Sequence, residues 1–156
     1  MLALTGFHQF FFHFAHIDLL IASFGASAVI LYGVPDSPLG TPRAFVGGMV
    51  ISAVVGCAIR NAIKDHPWLA IPLAVALSII LMEVTRTVHP PGGAVAFIAA
   101  MQRPERPVAE FQIVVAVFLD CLAMLVVAFI VMNLNPRTPG YPKYWLGSRG
   151  WKPWQW

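Results

Sequence analysis

The sequence predicts an all-α membrane protein with about four transmembrane helices and two short interrupted or re-entrant half-helices. Hydrophobic residues make up 58% of the 156-residue chain and charged residues only 11%, against roughly 45–50% and 25% in soluble domains. Several long runs contain no charge, and one short apolar run opens with adjacent prolines and glycines. These observations exclude an ordinary soluble domain, and the length leaves room for one membrane domain.

Three uncharged stretches have lengths near that needed to cross a bilayer. They are Ala44–Ile59, Pro67–Met82 and Phe111–Leu134, the last with the acid Asp120 inside it. A transmembrane helix needs about 20 apolar residues, and charge at the bilayer centre is costly. We expect three crossings here and another within Leu2–Val34, which contains no Lys or Arg. Residues 1–135 then form the membrane domain and residues 136–156 a basic, aromatic-rich tail.

The stretch Val88–Gln102 is also uncharged, but Pro90-Pro91-Gly92-Gly93 interrupts its start. Proline disfavours a continuing helix, so about ten helical residues remain, which is half a bilayer at about 1.5 Å per residue. We expect Arg86–Gly92 to descend in extended form to the midplane and Gly93–Met101 to climb back to the same face. Backbone at that depth is tolerated where protein or a water-filled cavity satisfies it.

A weaker version of this pattern occurs in the first half of the chain. Ser23-Phe24-Gly25-Ala26-Ser27 opens a short apolar stretch that ends at Gly33. Corresponding interrupted segments in two halves are typical of transporters with a two-fold internal repeat. The alternative is ordinary packing of small residues between helices, and both interpretations stay open.

Basic residues predict the topology. The tail contains Arg137, Lys143, Arg149 and Lys152, and Arg60 and Lys64 flank the turn before Pro67. By the positive-inside rule both segments belong on the cytoplasmic side, with both termini there and Arg43 and Arg106 opposite. The tail tyrosines and tryptophans are expected to form an interfacial belt. The small chain and the small residues Gly47, Gly48 and Gly56 predict a homo-oligomer.

Other chemistry-bearing residues point to no cofactor. Cys57 and Cys121 lie in apolar runs and are interpreted as small buried hydrophobic residues. His8, His13 and His16 lack an accompanying carboxylate or cysteine array, so no metal is predicted. The sequence has no nucleophile–base pair or phosphate loop at a recognisable spacing, which favours a protein that is not an enzyme.

The motif around the broken segment is similar to that of a known family. Thr87-Val88-His89-Pro90-Pro91-Gly92-Gly93-Ala94, preceded by Met82 and Thr85-Arg86, resembles the signature of the HPP family of integral membrane proteins. Further similar blocks are Ile21–Val29, Pro35–Leu39, Pro42-Arg43, Gly47-Gly48 and Tyr141–Trp145. Some members are nitrite transporters of chloroplasts and cyanobacteria. The resemblance implies transport of a small inorganic anion such as nitrite across a lipid bilayer, in a bacterial inner membrane or a plastid inner envelope, with no nucleic-acid partner.

The broken segment is also the predicted anion site. A helix N-terminus attracts anions through free N–H groups and its dipole. The predicted substrate-binding residues are Ser23, Gly25, Ser27, Arg86, His89, Pro90, Pro91, Gly92 and Gly93. Glu83 and Asp120 are predicted as intramembrane polar support.

Several roles have alternatives. Arg86 either supplies charge to the ligand or pairs with Glu83 three residues earlier. His89 either carries a proton coupled to transport or caps a helix through a hydrogen bond. The alternative to transport is a non-transporting membrane subunit, or a membrane enzyme that uses its histidines.

Overall fold

The computed structural model describes residues 17–102, 112–134 and 140–145. These residues form five α-helices: α1 (Ile17–Ala28), α2 (Pro42–Ala62), α3 (Pro67–Thr85), α4 (Pro91–Met101) and α5 (Gln112–Leu134). A π-helical turn, Val29–Gly33, continues α1, and a 3-10 turn, Pro38–Gly40, precedes α2. Among them α2, α3 and α5 are long and apolar enough to cross a membrane. The three long helices expected from the uncharged runs are therefore confirmed.

Prolines mark the helix starts. Pro42 is the first residue of α2, and Thr41 caps it because the Thr41 Oγ1 accepts the Ala44 N–H at 3.3 Å. Pro67 and Pro91 begin α3 and α4 in the same way. A first helical residue has no intrahelical N–H partner, so proline costs nothing there.

The outer faces of α3 and α5 are apolar. Ile80 and Val84 on α3 and Val126 and Ile130 on α5 are each at least half exposed. Such a surface would promote association in water but suits contact with lipid tails. The protein is therefore an integral membrane protein.

The helix α4 runs beside α2 in the same direction. We call the two ends of the bundle the Arg43 end and the Arg60 end, after residues in the first and last turns of α2. A Cβ at Gly48 would lie 2.8 Å from the His89 Cβ, just before α4. After α4, the Arg60 Nε donates to the Gln102 carbonyl at 2.8 Å. The short helix is confirmed, but its expected return to the starting face is wrong, because it continues to the Arg60 end.

The contact between α2 and α4 explains this direction. A Cβ at Gly56 would lie 2.5 Å from the Ala99 Cβ and 2.7 Å from the Ala96 carbonyl. Small residues on both helices thus let α4 pack closely along the second half of α2. The glycines of α2 are used inside the chain and present no face to a second copy. The homo-oligomer stays a prediction that depends on chain size alone.

The helix α5 runs towards the Arg43 end. Near its C-terminus the Asn133 Nδ2 donates to the Tyr141 carbonyl at 2.6 Å, and the Tyr141 hydroxyl donates to the Gly40 carbonyl at 3.0 Å. The Lys143 Nζ lies 2.8 Å from the Asp36 Oδ1. Lys143 therefore lies at the end opposite Arg60, and the prediction that it shares a face with Arg60 and Lys64 is wrong; Arg137, Arg149 and Lys152 lie outside the described residues. A count of basic residues cannot show that Lys143 of the tail pairs with Asp36.

The helix α1 is antiparallel to α4. Ser27 contacts His89 immediately before α4, whereas Ala22 and Phe97 line the same groove further along both helices. The helix is continuous through Gly25. The break expected at Gly25–Ser27 is wrong, and the irregular backbone begins at Val29. The predicted first crossing lies partly outside the described residues, as do His8, His13 and His16.

The helix directions fit the geometry that an inverted repeat would need. The pair α1 and α2 runs first towards the Arg43 end and then away from it, and the pair α4 and α5 runs in the opposite order. Inverted repeats in transporters have this relationship. The two-fold repeat itself stays a prediction.

Labelling from one side of a membrane tests this topology. Cysteines placed by Asp36→Cys and Lys143→Cys should react with an impermeant thiol reagent from one face, and a cysteine placed by Lys64→Cys from the other. The native Cys57 and Cys121 are buried and give a low background. Sealed vesicles of known orientation provide the measurement. Reaction of the cysteines at positions 64 and 143 from the same face would contradict the described bundle.

Candidate functional site

The segment Arg86–Pro90 joins α3 to α4, with Thr87 and His89 buried in the bundle and Arg86 and Pro90 exposed. Arg86 has left-handed backbone angles (φ 56°, ψ 43°), and the Thr87 N–H donates to the Met82 carbonyl at 2.8 Å. Helices often end in this way, usually with glycine at the left-handed position. A Cβ at Gly48 would lie 2.6 Å from the Thr87 carbonyl oxygen. Glycine on α2 therefore provides the space that the broken segment occupies.

His89 lies at the centre of the site and is fully buried. Its Nδ1 is 2.9 Å from the Leu39 carbonyl oxygen, and its Nε2 is 2.9 Å from the Ser27 Oγ. The ring packs edge-on against Phe45, with ring centroids 5.1 Å apart. The Ser27 Oγ also lies 3.1 Å from the Ser23 carbonyl oxygen. Three elements, α1, α2 and the 3-10 turn, thus hold the imidazole.

Three contacts form this network: Leu39 with Nδ1, Ser27 with Nε2, and Ser27 with the Ser23 carbonyl. For all three to be hydrogen bonds at once, the network needs one more proton than the Ser27 hydroxyl and a neutral histidine supply. Carbonyl oxygens only accept, so the Leu39 contact needs a proton on Nδ1. With a neutral ring, the Ser27 hydroxyl can then donate to Nε2 or to the Ser23 carbonyl, but not to both. With a protonated ring, Nε2–H donates to Ser27, and Ser27 donates to the Ser23 carbonyl. The geometry accommodates an extra proton without moving a heavy atom.

The N-terminus of α4 differs from the predicted anion cradle. Pro90 and Pro91 have no N–H. The Gly92 N–H donates to the His89 carbonyl at 2.9 Å and the Gly93 N–H to the Pro90 carbonyl at 3.0 Å. The expectation of free backbone N–H groups at this helix N-terminus is therefore wrong for Gly92 and Gly93, because a tight turn satisfies both. The positive end of the helix dipole remains as the attraction for an anion.

The two motif glycines have different surroundings. A Cβ at Gly92 would lie 2.8 Å from the Ser52 Oγ and 3.0 Å from the Gly48 carbonyl oxygen. A Cβ at Gly93 would meet only the Val75 Cγ1, at 4.0 Å. Gly93 faces a groove of about 500 Å³ between α1, α3 and α4. The groove is lined by Ala22, Ser23, Ala26, Val75, Pro91, Gly93, Ala94, Phe97 and Ile98.

The structure brings together only part of the predicted set. Ser23, Ser27, His89, Pro91 and Gly93 lie around the network or the groove. Pro90 and Gly92 belong to the turn itself, and Gly25 lies half-buried on α1.

The charged members of the predicted set lie further away. Arg86 and Glu83 are exposed near the Arg43 end, and no ion pair joins them in the described part of the chain. Asp120 is buried on α5, as expected for an acid inside a membrane bundle.

Substitution of Arg86 tests directly whether its left-handed backbone conformation is strained. A non-glycine residue pays about 1–2 kcal/mol for that conformation, and glycine avoids it at some entropic cost. Arg86→Gly should therefore raise the free energy of unfolding in detergent by about 0.5–1 kcal/mol. The control is Val84→Gly, an exposed position inside α3, which should lower stability by a similar amount. Equal losses in both variants would show that Arg86 is not strained.

Residues that the sequence analysis did not predict as part of the site complete it. The Leu39 carbonyl binds His89, Phe45 packs against the ring, and Gly48 makes room for it. Leu39 and Gly48 belong to blocks that carried the family resemblance. Their position in those blocks was the one sequence signal that they belong to the site, and no pattern indicated which of their atoms face His89.

The described residues contain no group of three or more His, Cys, Asp or Glu side chains that could hold a metal ion. His89 has a hydroxyl and a carbonyl as its hydrogen-bond partners. The chemistry that the site offers is hydrogen bonding and proton transfer.

The apolar bundle, the short helix α4 that begins within it and the buried serine–histidine pair define a polytopic α-helical membrane protein with a half-length helix. The chain belongs to the HPP transmembrane family, whose model matches residues 1–142. The resemblance at the His-Pro-Pro-Gly-Gly motif is thereby confirmed.

The curated relatives are transmembrane proteins of Dictyostelium discoideum. One is 45% identical over 134 residues, which cover 84% of this chain and 47% of the relative. Another is 43% identical over 129 residues, which cover 81% of this chain and 41% of the relative. The chain thus spans less than half the length of these relatives. No solved structure matches it significantly.

Proposed function

We propose that this protein moves a small monovalent inorganic anion across a membrane, with nitrite as the most specific candidate. The observation that carries the proposal is the buried Ser27–His89 pair at the point where α4 begins inside the bundle. Polar groups and irregular backbone at membrane depth are costly, and they occur where they line a substrate path. Nitrite itself comes from the resemblance to the nitrite-transporting members of the family.

Electrostatics favour an anion over a cation. The positive dipole end of α4 points towards the broken segment. The described residues at the end of the bundle from which this segment enters include three exposed cations, Arg43, Arg86 and Lys143, against two exposed acids, Asp36 and Glu83. The Arg43 guanidinium donates to the Thr85 carbonyl at 2.9 Å. A bound anion would also offset the cost of a buried imidazolium, because an isolated buried charge is strongly unfavourable. The site therefore suits the joint movement of an anion and a proton.

One observation favours a second candidate, a membrane enzyme that uses His89. The Ser27 Oγ, the His89 imidazole and the Leu39 carbonyl are arranged as a nucleophile, a base and an orienting group. Both Ser27 and His89 are fully buried, which opposes attack on a substrate. A serine-reactive phosphonate probe that labelled Ser27 in the native protein would favour this candidate.

The assembly and its membrane are further parts of the proposal. We propose a homo-oligomer, because few helices surround the path in one chain. We place it in a bacterial inner membrane or a plastid inner envelope, as the family resemblance implies. The third hypothesis, a membrane subunit that does not transport, is tested by the flux experiment described next.

Flux in proteoliposomes tests the function. Purified protein should accelerate nitrite uptake over protein-free liposomes, and nitrate, formate and chloride should compete to different extents. Protein-free controls are needed at every pH, because the neutral acid of nitrite crosses lipid unaided. No acceleration for any of these anions would refute anion transport.

A further inference from the structure

Tyr141 behaves as a core residue although it follows the last helix. It is only 3% exposed and packs within the same buried cluster as Phe24, Phe45 and Met132. Its hydroxyl donates to the Gly40 carbonyl at 3.0 Å, and its carbonyl accepts from the Asn133 Nδ2 at 2.6 Å. Burial raises the pKa of Tyr141, so the hydroxyl stays a donor. Membrane-surface anchoring alone does not explain such burial.

A second contact links the tail to the same loop. The Lys143 Nζ lies 2.8 Å from the Asp36 Oδ1, and both side chains are about half exposed. The hydrogen bond and the charge of Asp36 raise the pKa of Lys143, so the lysine remains charged. The two tail contacts therefore hold the loop Val34–Thr41 near both of its ends. We call the pairs Tyr141–Gly40 and Lys143–Asp36 the latch.

Hydrogen bonds within the loop Val34–Thr41 hold it together, and its Leu39 carbonyl contacts His89. The Ser37 N–H donates to the Val34 carbonyl at 2.9 Å, and the Gly40 N–H to the Ser37 carbonyl at 3.0 Å. The Thr41 hydroxyl donates to the Pro38 carbonyl at 3.2 Å. Leu39, whose carbonyl binds His89, is adjacent to Gly40, which accepts from Tyr141. The carbonyls that bind His89 and Tyr141 therefore belong to adjacent residues, so a displacement of Gly40 would also displace the Leu39 carbonyl.

Of the elements that surround His89, the loop Val34–Thr41 can move at the lowest cost in free energy. The other contacts of His89 come from α1 and α2, through Ser27, Phe45 and Gly48. Moving either helix would separate extensive buried surface. Moving the loop would break the latch, the Leu39 contact and the hydrogen bonds of Val34 and Thr41 to the flanking helices, and would leave the packing between the helices in place.

We propose that Tyr141 and Lys143 are positioning residues that hold the loop Val34–Thr41 closed over His89, and that release of the latch opens the site to the Arg43 end. This inference rests on the proposed transport function, because it describes the gate of the same site. It assigns the tail a role in transport beyond anchoring.

Accessibility of a cysteine inside the site tests the gate. The full chain, with Cys57 and Cys121 replaced by alanine, carries Ser27→Cys as a reporter in proteoliposomes. An impermeant thiol reagent is added from the Arg43 end. Tyr141→Phe removes only the hydroxyl and should accelerate labelling about fivefold, the equilibrium shift expected for one lost hydrogen bond. The matched control Tyr144→Phe changes an exposed tail tyrosine and should have no effect.

The ion pair provides an independent arm of the test. Lys143→Asp should accelerate labelling about two- to threefold, since exposed ion pairs contribute little. Combining it with Asp36→Lys should restore the original rate, because the pair is re-formed with its charges exchanged. Lys64→Asp, at the Arg60 end, is the control for a general change of charge.

A second reporter separates gating from loosened folding. Ser52 lies on α2 and is buried against Gly92, so the labelling of Ser52→Cys should not change in Tyr141→Phe. Equal acceleration at positions 27 and 52 would overturn the proposal, as would unchanged labelling at position 27. Should Ser27→Cys fail to assemble, Ser23→Cys, one turn earlier, serves as the reporter. Latch-dependent labelling without nitrite flux would support the gate and refute nitrite as substrate, whereas flux with latch-independent labelling would refute the gate alone.

Discussion

Gly92→Ala should destabilise the protein by about 1–3 kcal/mol, the usual cost of forcing a methyl group into a filled core. The same substitution at the adjacent Gly93 should leave the fold intact. The difference follows from the contacts of a Cβ at each position. At Gly92 it would lie 3.0 Å from the Gly48 carbonyl oxygen and 2.8 Å from the Ser52 Oγ, and at Gly93 no closer than 4.0 Å to another group.

Thermal unfolding in detergent and the yield of assembled protein measure this difference. Flux measurements then show whether Gly93 is needed for transport, separately from packing. Gly93→Val should assemble but transport poorly, because a stiff β-branched side chain would protrude into the groove beside the start of α4. Flux at the unmodified rate in Gly93→Val would place the anion path away from this groove. Equal destabilisation by alanine at both glycines would contradict the described packing.

The fold class and the long helices follow from the sequence because charge and proline patterns act locally. The charge-free runs predict α2, α3 and α5, and Pro91 marks the start of α4. The direction of α4 could not be predicted, because it depends on Gly56 meeting Ala96 and Ala99 across two helices. A count of residues gives the length of a half-helix but not the face to which it leads.

The candidate site shows the same division. His89, Ser27 and Ser23 are predictable as polar residues in apolar surroundings. Their assembly with the Leu39 carbonyl is not, because a backbone carbonyl leaves no mark in the sequence. The topology was mispredicted for a related reason. The positive-inside rule counts Lys143 as a free charge, whereas in the fold it pairs with Asp36.

His89→Gln should abolish the pH dependence of transport while the protein still assembles. If a proton accompanies the anion, uptake by the unmodified protein rises as pH falls, because protonation completes the third hydrogen bond of the network. With a mostly neutral ring, the rise is at most about tenfold per pH unit. Glutamine can donate to the Leu39 carbonyl and accept from Ser27 but cannot titrate. Its uptake should therefore be flat with pH.

Ser27→Ala gives a different result and identifies the partner of the proton. It removes the acceptor of Nε2–H from the protonated ring and a possible donor to Nε2 from the neutral ring. A hydrogen bond to a charged group is worth about 1.5–3 kcal/mol and one between neutral groups about 0.5–1.5 kcal/mol, so the protonated ring loses more. The pH of half-maximal uptake should therefore move down by about 1 unit while the dependence persists. The control is His66→Gln, which changes an exposed histidine before α3 and should leave the pH profile unaltered.

Initial rates of nitrite uptake, corrected for protein-free liposomes at each pH, provide the measurement. A capping role for His89 predicts that the glutamine variant keeps the original pH profile, because glutamine preserves both hydrogen bonds. That outcome would remove the proton from the mechanism and leave His89 as a structural residue. A flat profile in His89→Gln with a shifted one in Ser27→Ala would instead connect the proton to the three-contact network, because only the network makes the two variants differ in this way.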